Sequence, residues 1–383
     1  MVSFVYVSGP DFESLFPLTK REKPVPNTTV LGKPIAVWIA QTALSSGFKD
    51  IIVAYPSISG QVREAIGERA SLIECSGKPT VECVTEALQK AEEDDIVLLV
   101  GSHIFPSEFL QSSLESWNEA GGRLLAVVVP DQLPAEEKAG RIGVDVEFIG
   151  RYIRRAGSFG EGAFPYAFSG AILGEREELV STFSEVRNIN DALLDLFRLR
   201  KPSFYIYSGR YNTLSSPWQL LELVKSLLTE TAGVFVSSSA KVSPTAIIEG
   251  PVVVEENATI DHYSVIKGPA YISRGAFIGA HTLLRNGVSV EPFAVVGAGV
   301  ELKRSYVGAR ATIGSNSNVT DSVIGEGATL RPVVVTLNYD AYEAKKRGEA
   351  YRKRGSIVGE GAVVNGGTTL RPGFVVEPGQ IYP

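Results

Sequence analysis

Residues able to do chemistry on their own are sparse in this 383-residue chain. Three histidines, His103, His262 and His281, could serve as proton acceptors near neutral pH. A lone histidine is more often a packed or surface residue, and none of the three sits in a ligand cluster. His262, in TIDHYSVI, and His281, in IGAHTLL, recur inside a periodic apolar pattern and read as structural or exposed. Cys75 and Cys83 form no metal spacing with one another or with a histidine. A reducing compartment is therefore the default expectation. Basic charge gathers in one stretch, Thr336–Gly355, TLNYDAYEAKKRGEAYRKRG. It reads either as a solvated excursion or as a cover over a ligand groove or a neighbouring subunit.

The elements that must position such groups differ between the two halves. In the first, Val2–Val7, Ile51–Ala54, Ile96–Val100 and Leu124–Val129 are short apolar runs that read as buried strands. Between them, Pro34–Ser46 and Val81–Glu92 repeat apolar residues at helical spacing. Strand–helix alternation predicts an α/β domain with a mostly parallel sheet covered on both faces.

The second half changes period. Val242, Ile248, Val254, Ile260, Ile266, Ile272, Ile278, Leu284, Val290, Val296 and Leu302 fall on every sixth residue without a break. Mostly small residues, among them Ala258, Ala270, Ala276 and Ala294, stand two positions earlier. The pattern continues with small phase shifts through Val307, Ile313, Val319, Ile324 and Leu330, and returns at Val358, Val364, Leu370 and Val376. A six-residue repeat puts one aliphatic inside each face of a three-sided parallel coil, with small residues at the tight corners. The expected organisation is an α/β domain over residues 1–230 and a β-helix over 235–383, with the basic excursion at 336–355. The boundary falls near a predicted helix at Pro217–Leu228 and the connector Thr229–Val234.

Length allows two cores, because single cores rarely exceed about 250–300 residues. A formal charge of −6 argues against nucleic-acid binding. No apolar run approaches the ~18 residues of a membrane span. MVSFVYVSGP lacks a basic flank and a cleavage site, so no signal peptide is expected and the reading is cytoplasmic.

Several motifs resemble a known family. Leu15–Val53 is similar to the opening of sugar-1-phosphate nucleotidylyltransferases, with Pro17-Leu18-Thr19 and Gly32-Lys33-Pro34 matching. Ile96–Phe105, IVLLVGSHIF, resembles the family's strand and GDxxF motif. Phe168–Leu173, FSGAIL, resembles its sugar-side strand, and Tyr211–Leu228 resembles the segment "WxDIGTPEDLLEANKLLL". With the repeats, the likeness covers nearly the whole chain. It looks closest to the bifunctional enzymes that join a nucleotidylyltransferase to a hexapeptide acetyltransferase. The resemblance implies a Rossmann-like nucleotidyltransferase domain followed by a left-handed parallel β-helix.

It also implies a chemistry whose groups can be sought one by one. Nucleotidyl transfer brings two anions together, so it depends on positioning and on neutralisation by Mg²⁺ and cationic side chains. The family's Gly-rich phosphate loop corresponds to Gly9-Pro10-Asp11-Phe12-Glu13-Ser14. Here Pro10 removes a donor, Phe12 denies close backbone approach, Asp11 and Glu13 would repel phosphate, and Ser14 replaces the family Arg. Lys23 is the candidate for the catalytic Lys. Ser102 and Thr213 stand at the two metal-carboxylate positions, and both are neutral. Gly170 falls in the sugar-side strand. In the coil, Ser315 replaces the acetyltransferase His and Asn318 a Tyr, while Asn338 keeps a catalytic-site Asn. Candidate catalytic residues are thus Lys23 and Asn338, and candidate substrate-binding residues are Gly9, Ser14, Ser102, Gly170 and Thr213, with no metal ligand.

Loss of one transition-state donor costs roughly 100–1,000-fold in rate, so these replacements together predict strong impairment. The expectation is a regulatory or scaffolding member that binds a nucleotide-sugar or sugar phosphate. It would assemble as a homo-oligomer or with an active relative, with neither nucleic acid nor membrane as partner. One alternative is an active, divergent nucleotidylyltransferase or acyltransferase that recruits Asp11, Glu13, Asp94, Asp95, Glu108 or Asp340. Only then would Mg²⁺ and acetyl-coenzyme A be implied. Another is a purely structural assembly module.

Overall fold

Val- and Ile-rich runs of the first half become strands because both of their faces are covered. The computed structural model describes residues 1–10, 13–131, 141–158, 164–184, 186–229, 231–348 and 351–383. The chain divides into two compact units. Unit 1 comprises Met1–Ser14, Glu22–Thr28 and Pro34–Ser215, and unit 2 comprises Leu15–Arg21, Thr29–Lys33 and Ser216–Pro383.

Among the described residues of unit 1, nine strands form one sheet. They are β1 (Val2–Val7), β2 (Ile51–Tyr55), β3 (Ser71–Glu74), β4 (Asp95–Val100), β6 (Leu125–Pro130), β7 (Ile142–Glu147), β8 (Tyr152–Ser158), β9 (Tyr166–Glu175) and β10 (Ser203–Ile206). A short ribbon pairs β5 (His103–Ile104) with β11 (Asn212–Thr213). The order β8-β7-β9-β4-β1-β2-β3 is parallel from β4 to β3, and β6 pairs with β9 and β10. The sheet is mixed, which corrects the expectation of a mostly parallel one. Strand β9 runs antiparallel to β4, β6 and β7, and β7 antiparallel to β8. The chain between β7, β8 and β9 is too short for the dozen-residue crossover that a parallel neighbour needs.

Helices of unit 1 follow their apolar spacing. In α1 (Thr80–Lys90), Val81, Val84 and Leu88 share one buried face, with Glu82 in the first turn and Lys90 in the last, as the helix dipole favours. Just before α1, Cys75 is joined to Cys83 by a disulfide, with Cα atoms 5.7 Å apart and both residues buried. The two cysteines are therefore partners, a pairing that their spacing in the sequence did not suggest. No helix of the described residues is long and apolar enough to cross a membrane.

Among its described residues, unit 2 contains three parallel sheets of eight, eight and seven strands, the arrangement of a hexapeptide-repeat β-helix. The six-residue register holds in detail. Ile260 pairs with Ile278, Ile278 with Val296 and Val296 with Ile313, so successive coils take 18, 18 and 17 residues, and the last step is one of the phase shifts. These aliphatics are almost fully buried and form one core from Val252 to Val376. Ala258, Ala276, Ala294, Ala311 and Ala328 fill the corners and are equally buried. Leu330 pairs with Val364, so one coil absorbs the excursion. The excursion carries a short exposed helix, α2 (Ala341–Arg347), capped where the Asp340 carboxylate accepts the Tyr342 and Glu343 N–H groups.

Candidate functional site

The C-terminal ends of β1 and β4 lie side by side, since Val7 faces Val100. Such strand ends are where α/β sheets place ligands. Here the ladder continues past the strands: Ser8 N–H donates to Ala54 O at 3.1 Å, and Gly101 N–H to Val7 O at 2.9 Å. Ser8 and Ser102 are thereby fixed next to each other, and both are buried.

Both serines point at Glu13. Its Oε1 accepts Ser8 Oγ at 2.5 Å and Ser102 Oγ at 2.6 Å, while Oε2 accepts the Ser102 N–H at 2.5 Å. The Tyr6 hydroxyl stands 2.9 Å from Ser102 Oγ, which completes a Tyr–Ser–Glu relay. Glu13 N–H donates to Gly9 O at 3.1 Å and folds the loop back. Burial pushes the Glu13 carboxyl above its ordinary range, against the opposing pull of the serine hydrogen bonds. Burial, and then the Glu13 charge, push the Tyr6 phenol well up.

His103 follows directly. Its Nε2–H donates to Val100 O at 3.2 Å, because a carbonyl can only accept, and Nδ1 is buried without a partner among the described residues. Burial, and then the nearby Arg141 guanidinium, push its pKa down to about 3, so the ring is neutral at physiological pH. Its plane lies against Tyr211, with centroids 5.3 Å apart. Tyr211 donates its hydroxyl to Ser169 O, beside Gly170. Gly170 has φ +88°, and a Cβ there would lie 2.3 Å from Val100 O and 2.7 Å from His103 Nε2. Glycine is thus required for β9 to pass the end of β4. Arg141 and Asp131 form a buried ion pair at 3.6 Å.

Thr213 pairs with His103 across the ribbon, and Leu214 N–H donates to Ser102 O at 3.2 Å. The fold therefore brings Gly9, Ser102, Gly170 and Thr213 into one neighbourhood. Ser14 is exposed, and Lys23 is half-buried on a bend before the short turn Val25–Asn27. Asp11 and Phe12 lie outside the described residues.

Mg²⁺ is a hard cation that takes carboxylate and water oxygens. Ser102 and Thr213 offer no charge, and the carboxylate beside Ser102 is committed to three donors. Among the described residues there is no group of three His, Cys, Asp or Glu placed to hold a metal ion. The residues present do not fit that ion.

In unit 2, Asn338 Nδ2 donates to Asp321 Oδ2. Asp321 also pairs with Arg304, which reaches Glu222 at 3.1 Å and Lys353 O at 2.9 Å. Asn338 thus belongs to a clasp that ties both ends of the excursion to the coil. Asn318 donates to Glu301 at 3.1 Å. His262 Nδ1 meets the Ser243 hydroxyl at 2.8 Å, and His281 stacks on Tyr263 at 5.1 Å, both on the exposed surface.

Sequence reasoning did not single out Ser8, Arg141, Asp131 or Tyr211. It named Glu13 as a charge hostile to phosphate and missed that the side chain takes the donors itself. The spacing Gly9–Glu13, one helical turn, was the available signal.

No protein-family model matches the chain. Over 197 residues it is 32% identical to the "Bifunctional protein GlmU" of Methanocaldococcus jannaschii, a stretch equal to 50% of this chain and 48% of that protein. The chain spans about half the length of the curated relative it matches. This similarity, with an α/β sheet followed by three parallel coil sheets, agrees with the resemblance to the nucleotidyltransferase/acetyltransferase family.

Proposed function

We propose that the chain is a catalytically impaired member of this family, acting as a regulatory or scaffolding subunit that holds a nucleotide-sugar or sugar phosphate. The observation that carries the reading is the approach of Thr213 to Ser102: Thr213 pairs with His103, the next residue, and Leu214 N–H donates to Ser102 O. The ribbon β5–β11 brings together the two positions that resemble the family's metal carboxylates, and both are neutral. Charge neutralisation supplies most of the rate in phosphoryl-type transfer, and nothing at these positions supplies it. In the β-helix, Asn338 is held by Asp321, and Ser315 stands where the resembling acetyltransferases carry the histidine base. That arrangement supports a structural use of the coil, and the proposal extends to assembly into a homo-oligomer or with an active relative, in the cytoplasm.

A thermal-shift panel tests the binding half of this reading. A nucleotide-sugar or sugar phosphate at about 100 times its dissociation constant should add roughly 2.7 kcal/mol of stability without any metal. Stabilisation by nucleoside triphosphates that appears only with Mg²⁺ would contradict it.

A further inference from the structure

We propose that the first rung of the coil is a docking surface for the same rung of a second copy of this chain, the two meeting head to head about a two-fold axis. The proposal gives a place to the assembly put forward above, and rests on that part of the reading. Three strands make up the rung: β12 (Val234–Val236), β13 (Lys241–Val242) and β14 (Ile247–Glu249). Among the described residues each is first in its sheet and paired on one side only, so its other edge is open. Val234 and Val236 stand in line with Val252 and Val254, which are wholly buried, yet they are 49% and 40% exposed. Val242 and Ile248 are likewise only partly covered, where Ile260 and Ile266 above them are buried. Coils of stacked repeats need a polar cap at each end to stay soluble, and this end presents bare core instead.

The opposite end is closed. There Phe374 and Tyr382 pack on the core with ring centroids 5.0 Å apart, and Leu370 and Val376 are buried. That aromatic cover withholds the bare partner a head-to-tail stack would need, so the first rung is left to meet its own copy in a closed pair. A two-fold axis through Phe235 reverses the second copy, and facing strands become antiparallel. β12 meets its own counterpart, and β13 meets β14. Counting outward from the axis round the 18-residue rung, Val234 faces Val236, Val242 faces Ala246 and Ala240 faces Ile248, so inward residues meet inward ones. On the outside, Phe235 faces Phe235. Lys241 faces Ile247 and has Glu249 as its diagonal neighbour, within reach of a long side chain. Lys241 and Glu249 are exposed, and neither makes an ion pair among the described residues. An axis through Lys241 would set two lysines face to face, and one through Ile247 would part Lys241 from Glu249. Charge complementarity therefore selects the axis through Phe235.

Sedimentation of the full chain over a concentration series, from about 1 to about 100 µM, tests this. The unaltered chain should form particles with twice as many copies as Phe235→Lys, which sets like charges face to face on the axis. Lys241→Glu and Glu249→Lys should each weaken the association about fivefold, and the double reversal should restore it to within about twofold. Glu249 stands beside Lys267 in its own sheet, so Lys241→Glu is the cleaner of the two. All three altered positions are exposed, so the coil should fold in every variant, and circular dichroism checks that it does. Should one variant misfold, the others decide by the same comparison. A copy number that every variant shares with the unaltered chain would overturn this surface and leave assembly elsewhere on the chain standing. A single chain at every concentration would overturn both. Weakening that the double reversal fails to restore would also overturn the pairing, as would association that requires a different protein.

Discussion

Two carboxylate sites, one in each unit, use the same interaction for different ends. In unit 1, Glu13 takes a strand-end N–H and two serine hydroxyls. In unit 2, Glu291 accepts the Leu31 and Gly32 N–H groups at 2.9 Å each and the Ser289 hydroxyl at 2.5 Å. Glu291 is fully buried in the coil and pins a loop whose residues Leu31 and Gly32 have φ of 46° and 76°. A Cβ at Gly32 would lie 2.5 Å from the Tyr271 hydroxyl, so that turn is fixed from both sides. Glu13 is only half-buried. The comparison teaches that a carboxylate with several donors matters most to the fold where it is wholly buried.

The largest expected effect breaks the structural member of the pair. Glu291→Ala leaves the two loop N–H groups and a buried hydroxyl unmet, and should cost about 3–5 kcal/mol in denaturant unfolding. Glu13→Ala removes a side chain that is only half-buried, and should cost less, about 1–2 kcal/mol. Equal losses would erase the distinction.

A smaller effect sharpens it through pH. Burial raises the Glu291 carboxyl from an ordinary 4.5 to about 7, despite its hydrogen bonds from Ser289, Gly32 and Leu31. Between those values the native state holds a proton that the unfolded chain has released. Stability should therefore be greatest below about pH 4.5 as far as this group is concerned, fall as pH rises to about 7, and level off above, by about 3 kcal/mol at most. Glu13 contributes in the same direction. Glu291→Gln should remove most of the slope, as measured by urea unfolding at a series of pH values. A slope unchanged in that variant would assign it to other groups.

How much of this was legible in the residues also differs between the units. The coil was readable in detail because each position recurs: Ile260, Ile278 and Val296 occupy equivalent places, so one repeat predicts the next. That β1, β2 and β4 run parallel followed from short apolar runs separated by helices. The direction of β9 did not, because strand direction depends on link lengths and partners that periodicity does not encode. Gly170 was named for a ligand role, and the structure adds a packing reason that only the approach of β9 to His103 reveals. The reach of Glu13 to Ser102 joins residues 89 apart in sequence, which no local pattern records. Asn338 was chosen from its place in a motif, and its bond to Asp321 became visible only once the coils were stacked.

The most direct test of the central claim is pyrophosphate release by the full chain, supplied with nucleoside triphosphates, sugar 1-phosphates and Mg²⁺. With Ser102 and Thr213 neutral and Glu13 on the strand-end donors, no release above the uncatalysed background is predicted for any pair. Mg²⁺-dependent release that saturates with both substrates would contradict the account.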